Sequence, residues 1–362
     1  MDELIYCHAA ATITDQPVSN SGGCLFNLID DCGSESKKNK TKCRLKAGKP
    51  KIKIMDSSGF HRHGKNKKGE PTLFNENKLL IHKGVLNPMP NHLVQAAREV
   101  PSDILIVTDN PLSPVDGKEN QDYEFFDKLI FNVYGAARTA TLVKKYNLDV
   151  DLYLVFQGSS VNHIDIISET LEPYSFDGIA MPLRKQSISK IALFLIRFWQ
   201  LGYKKVHLLG TDALFNLALA AYFARHFFNL ITVDSRGYKF SASHNQYRNP
   251  HNLKTVPIGE NVLIDPDVDM DCTCPACNGR TFQYYQNQPY PSRRVLLCTH
   301  NFQAIENMGQ KLFQHSKTPC SLIDFLRRKT DRLKEIEELC DVLSLVEVFK
   351  NKDIRYLEDH LG

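Results

Sequence analysis

The chain has 362 residues, 42% of them hydrophobic, which is enough apolar mass for one large domain or two small ones. Its 45 Lys/Arg stand against 41 Asp/Glu, a net charge of +4 that excludes a polybasic or strongly acidic protein as a whole. No apolar run approaches the roughly 20 residues that span a bilayer, and Met1 to Ala10 lacks the basic and then apolar stretch of a secretory signal, so a cytoplasmic protein without a membrane partner is expected.

Residues 1–50 carry little pattern. Cys24 to Ile29 is a short apolar piece, and Ser34 to Lys42 reads as a loop. From Lys37 to Lys53 there are nine Lys/Arg and no acid, followed by Arg62, Lys65, Lys67 and Lys68. Such a run attracts phosphates, although a solvated loop has the same composition.

After residue 50 a rhythm sets in. Ile52 to Asp56, Asp103 to Asp109, Leu152 to Gln157, Phe176 to Pro182, Lys205 to Gly210 and Leu230 to Ser235 read as strands. Helical stretches fall between them, among them Asp122 to Tyr146, Ser187 to Leu201 and the most apolar, Ala213 to Phe228. Strand and helix in alternation predict a parallel sheet, and six such units with room for one or two more predict a (β/α)₈ barrel. No G-x-G-x-x-G follows the first strand, which argues against a dinucleotide-binding fold. The predicted division is a divergent segment over 1–50, a catalytic barrel over 51–310 that includes a zinc subdomain over 268–305, and C-terminal helices over 311–362.

Polar residues stand where a barrel uses them. Asp56, Asp109, Gln157, Gly210 and Asp234 each end a predicted strand, and a barrel gathers those ends on one catalytic face. His207, inside an apolar strand, reads as a core histidine. Downstream, Cys272, Cys274 and Cys277 are followed after 22 residues by His300. Three thiolates and an imidazole fill a tetrahedral Zn²⁺ site and leave no position for water, so a structural zinc is expected. The remaining cysteines are scattered without a disulfide framework, as in a reducing compartment. The closed ligand set and the lack of an H-x-H pair at a strand end argue against a zinc hydrolase.

Taken in order, these motifs resemble the tRNA-guanine transglycosylase superfamily. Asp56-Ser57-Ser58-Gly59-Phe60 is similar to its DSGGF/Y motif, and Asp109 looks like its base-recognising aspartate. Phe156-Gln157-Gly158-Ser159 resembles its QGS/QGG motif, and Val233-Asp234-Ser235 its FDS/FDC motif. The cysteines with His300-Asn301 match its zinc motif. The resemblance implies Asp234 as nucleophile and Asp56 as general acid/base. It further implies Asp109, Gln157, Gly158, Phe60, His61 and Gly210 as base-binding residues, with a nucleic acid and a free 7-deazaguanine base as substrates and room for a homodimer.

Departures from the pattern point within the superfamily. His61 replaces the usual glutamine, and Met181-Pro182-Leu183 replaces a glycine pair, with no backbone N–H donor at Pro182. Residues 1–50 do not resemble the family's lead-in. That divergence is more like the branch that inserts 7-deazaguanines into DNA, found in phages and in bacterial modification clusters. The cytoplasm in question is therefore bacterial, or that of a phage host. The alternatives are the same exchange in tRNA, or a noncatalytic nucleic-acid-binding partner subunit.

Overall fold

A computed structural model of the chain describes residues 3–9, 22–57, 81–82, 85–86, 89–112, 118–183, 186–258 and 272–361. β1 (Glu3–Ala9) and β2 (Gly23–Asn27) precede the short α1 (Leu28–Cys32) and α2 (Glu35–Gly48). Next come β3 (Ile52–Asp56), the two-residue β4 (Ile81–His82) and β5 (Val85–Leu86), α3 (Met89–Glu99), β6 (Ile104–Ile106) and α4 (Lys118–Lys145). Strand and helix then alternate through β7 (Asp151–Val155), α5 (Val161–Thr170), β8 (Gly178–Pro182), α6 (Ile188–Gln200), β9 (Lys205–Leu209), α7 (Leu214–His226), β10 (Leu230–Ser235) and α8 (Gly237–Ser243). An antiparallel pair, β11 (Gln246–Arg248) and β12 (Thr255–Pro257), leads to α9 (Phe282–Gln286), α10 (Tyr290–His315), α11 (Pro319–Arg327), α12 (Leu333–Phe349) and α13 (Ile354–Leu361).

Eight parallel strands close into a barrel in the order β1-β10-β9-β8-β7-β6-β3-β2. The predicted barrel is therefore present, with one correction to its start. Residues 1–50, expected to stand ahead of the barrel, supply β1 and β2. β2 is buried at all five positions, so it shows no in-out alternation to betray a strand. The lysine-rich stretch expected as a loop is helix α2. Ser34 caps it by accepting from Lys37 N, and Lys49 ends it in the left-handed region at φ 43°. Only Thr41, Leu45 and Gly48 are buried, a stripe too narrow to stand out in the sequence.

The chain divides into two compact units, one with β1 and the residues from Gly210 onward, the other with β2 through Leu209. In the second unit, Phe156 packs edge-on against Phe194 and Phe198 of α6, with ring centroids 5.2 and 5.4 Å away. Pro182 leaves the β8 ladder intact, because the next residue, Leu183, donates to Leu209 O at 3.1 Å. In the first unit, α7 is apolar all round and buried from Leu214 to Ala224 apart from Asn216. In the second unit, His207 of β9 is fully buried, as a core histidine would be. α10 runs without a break past residue 310, where the sequence suggested that the barrel gives way to separate helices.

Candidate functional site

β6 and β7 are shorter than the sequence suggests, and this frees the polar residues that follow them. β6 ends at Ile106, and Asp109 lies in the loop beyond. That loop is tied to α4 in place of a neighbouring strand. Asn132 accepts from Asn110 N at 2.6 Å and donates to Asn110 O at 3.3 Å. The buried Lys128 donates to Pro111 O at 2.6 Å and also pairs with Glu124.

Asp109 is buried with Ser57 and Gln157 as its partners. Ser57 Oγ donates to Asp109 Oδ1 at 3.1 Å, and Gln157 Nε2 donates to Asp109 Oδ2 at 2.7 Å. Gln157 Oε1 accepts from Leu112 N at 3.3 Å. A carboxylate and an amide from two separate strand ends thus form one edge, with acceptors and donors side by side. Asp56 closes β3 and is half-buried. Its neighbour Ser57, which sequence reasoning gave no role, is the residue that reaches Asp109. Phe60 and His61, with the basic residues Arg62, Lys65, Lys67 and Lys68, lie outside the described residues.

Asp234 sits at the end of β10 in the first unit and is 7% exposed. Gly210 N donates to Asp234 Oδ1 at 3.1 Å, and Thr211 N donates to Asp234 O at 2.8 Å. Gly210 takes φ +80°, the left-handed region in which an L side chain is strained. Nearby, Arg248 pairs with Asp212 at 2.8 Å, over Gly237. A Cβ on Gly237 would stand 2.0 Å from Asp212 Oδ2, so α8 starts where only glycine fits. Burial pushes the Tyr6 hydroxyl well above the ordinary tyrosine range, and the Asp212 and Asp234 carboxylates push it the same way. Tyr6 and the Asp212–Arg248 pair carry no motif in the sequence, since they meet only through the fold. Arg236 is exposed just ahead of α8, and Tyr238 is fully buried edge-on against Phe302.

The two predicted glycines differ in kind. A Cβ on Gly158 would lie 2.5 Å from Phe156 Cζ and 2.8 Å from His163 Cβ, whereas one on Gly210 meets nothing within 4 Å. Gly158→Ala must displace a packed ring and is expected to cost about 1–3 kcal/mol. Gly210→Ala carries backbone strain alone, about 1–2 kcal/mol. Urea midpoints of the two variants check this, with the larger drop expected at Gly158.

Cys272, Cys274, Cys277 and His300 form a cluster that can hold a metal ion, with ligand atoms all within 4.8 Å of one another. His300 Nδ1 lies 3.4, 3.6 and 3.1 Å from the three sulfurs. Its Nε2 is 2.7 Å from Arg248 O, so the ring donates there and turns the Nδ1 lone pair to the thiols. Tyr247 stacks on the ring at 3.9 Å, and Asn301 locks α10 to β11 by accepting from Arg248 N and donating to Gln246 O. Hydrogen bonds from Cys274 and then Cys277 and His300 hold the Cys272 thiol far below the usual range. The cysteines pack in a core of their own with Tyr247, Ile258, Phe282, Tyr285 and Leu297.

Compared with models of known protein families and with curated proteins, the chain matches none. Among the described residues no helix is long and apolar enough to cross a membrane.

Proposed function

We propose that the chain exchanges guanine in a nucleic acid, DNA in the first instance, for a 7-deazaguanine base, and that it holds structural zinc. The observation that carries this reading is the 2.7 Å hydrogen bond joining Gln157 to Asp109. Guanine presents N1–H and an exocyclic amine beside the O6 acceptor. Asp109 accepts from the donors, and the Gln157 amide turns to O6. Asp56, Asp109 and Gln157 stand at or just past C-terminal strand ends in one unit and Asp234 at such an end in the other, the kind of position from which barrel enzymes draw their catalytic residues. The exposed Lys37, Lys40, Lys46, Lys49 and Lys51 of α2 and its C-terminal flank suit a phosphate backbone. The choice of DNA over tRNA rests on the divergence of residues 1–50 from the tRNA enzymes.

In this reading the target base leaves the stack to reach its pocket. The Asp234 carboxylate, oriented by Gly210 N–H, attacks C1′ as the C1′–N9 bond breaks, and the sugar is held as an ester. Asp56 delivers a proton to the departing guanine. It then takes one from the incoming base, whose N9 displaces Asp234 and restores its carboxylate. Splitting one displacement in two keeps the sugar's configuration and requires no ATP or redox group.

The donor set fits zinc. Zn–S of about 2.3 Å and Zn–N of about 2.0–2.1 Å at tetrahedral angles imply S···N separations of about 3.6 Å. The 3.1–3.6 Å found around His300 Nδ1 suit that geometry. When bound, zinc balances three thiolates and ties the 272–277 turn to α10, and it takes no part in the exchange.

Release of label tests the substrate. Duplex DNA and tRNA carrying 8-¹⁴C-guanine, each offered with 7-cyano- and 7-aminomethyl-7-deazaguanine, are expected to lose label from DNA alone. Loss from tRNA alone would replace DNA in the proposal. Loss from neither would leave a noncatalytic binding protein as the better reading.

A further inference from the structure

The turn that carries Gln157 is braced from behind by one imidazole. β7 ends at Val155, and the next residues lead through Ser160, the N-cap of α5, to His163. His163 is 2% exposed, and its ring lies flat on Phe125 of α4, with centroids 3.7 Å apart and planes 7° apart. Ser159 N donates to His163 Nδ1 at 3.1 Å, and His163 Nε2 is 3.2 Å from Asp122 Oδ1 on α4. Because Nδ1 accepts, the neutral ring carries its proton on Nε2, toward the carboxylate.

Ser159 Oγ lies 3.5 Å from both Nδ1 and Asp122 Oδ1, so a serine, a histidine and a carboxylate stand together. They do not form a nucleophile. The Nδ1 lone pair is directed at the Ser159 amide and is not available as a base for the hydroxyl. The same α4 grips the Asp109 loop through Asn132 and Lys128. One helix therefore sets both halves of the Asp109–Gln157 edge, and His163 is its link to the Gln157 half.

We propose that His163 is a pH-sensitive positioning residue for Gln157, holding the Gln157–Ser159 turn against α4 only while its imidazole is neutral. The functional consequence rests on the reading of Gln157 as a base-recognising residue. Protonation places a hydrogen on Nδ1 that faces the Ser159 N–H, and two donors cannot share that contact. Three influences act on the ring. Burial disfavours the imidazolium most strongly, Asp122 on α4 favours it, and Lys190 on α6 disfavours it. The net effect holds the imidazole below its ordinary 6.5. An imidazole depressed in the fold binds protons more readily in the unfolded chain. Its stabilising contribution is therefore complete above about pH 6.5 and is lost as the pH falls through the folded value.

The test follows two signals in nitrogen-15 spectra from pH 8 to pH 4.5, the Ser159 backbone amide and the Gln157 side-chain amide, in the full chain. In the wild type both are expected to move together with a midpoint below 6.5. In His163→Asn, whose amide oxygen accepts but cannot be protonated, neither should move. Asp122 is exposed at the surface, so Asp122→Asn offers a variant that leaves the core untouched, and its midpoint is expected at lower pH. A Gln157 signal that stays fixed while Ser159 titrates would overturn the proposal, as would a midpoint indifferent to both substitutions. Guanine affinity, read by calorimetry over the same range, is expected to fall about tenfold across the midpoint in the wild type and not in His163→Asn. Failure to bind guanine at pH 8 with both amides still titrating would sink the base-recognition reading and leave the positioning role in place.

Discussion

Removing the metal is expected to unfold the segment around Cys272–Cys277 and the α10 face that packs on it. The cysteines share a core with Tyr247, Ile258, Phe282 and Tyr285. Without an ion that core surrounds three mutually crowded thiols and one imidazole. Structural zinc in small domains contributes on the order of 10 kcal/mol at neutral pH, comparable to the whole stability of an ordinary domain. Cys277→Ala removes the sulfur nearest to His300 Nδ1 and also the 3.3 Å contact with Tyr285 Oη. The wild type is expected to carry one zinc per chain by elemental analysis, and Cys277→Ala well under half of that. Chelation should bring an early unfolding step in calorimetry. Replacing zinc with cobalt should leave the rate of base release within about twofold, since a closed ligand set leaves no place for substrate. A large change of rate with the metal would show that the ion takes part in the chemistry.

Asp234→Ala is expected to lower guanine exchange by at least about 10⁴-fold, the scale on which removal of a nucleophile acts. The fold should survive, because the lost carboxylate is at a strand end and Thr211 N bonds to the Asp234 carbonyl, not its side chain. Asp234→Asn keeps an acceptor for Gly210 N and should fail equally, which separates nucleophilicity from hydrogen bonding. Affinity for free guanine should change little in either variant. Asp109→Asn is the contrasting case. It exchanges an acceptor for a donor facing the Gln157 amide, so base affinity falls along with the rate. Stopped-flow release of labelled guanine and equilibrium binding of the free base read the two effects apart.

Much of this site is legible along the chain, and the limits are physical. β3, β6, β7 and β10 announce themselves as short β-rich runs that end in or lead to a polar residue, and Asp56, Asp109, Gln157 and Asp234 are those residues. β1 and β2 stay hidden because neither alternates in polarity, and α2 because its few buried residues are lost among lysines. The metal cluster is visible because three of its ligands fall within one turn. The choice of Nδ1 over Nε2 at His300 depends on the Arg248 carbonyl, which the fold brings from 52 residues away. The anchors of the Asp109 and Gln157 turns, namely Ser57, Lys128, Asn132 and His163, meet their partners through tertiary packing. A single sequence holds no periodicity that would mark them.

In the proposed exchange Asp234 takes the sugar covalently while guanine leaves. The most direct measurement is the intact mass of the protein after incubation with a short guanine-containing DNA duplex, without incoming base, and rapid denaturation. A protein–DNA conjugate is expected that maps to the peptide containing Asp234, is absent in Asp234→Ala and disappears when a 7-deazaguanine base is added before the quench. Label release by the wild type with no conjugate, or a conjugate that persists in Asp234→Ala, would contradict covalent capture by Asp234.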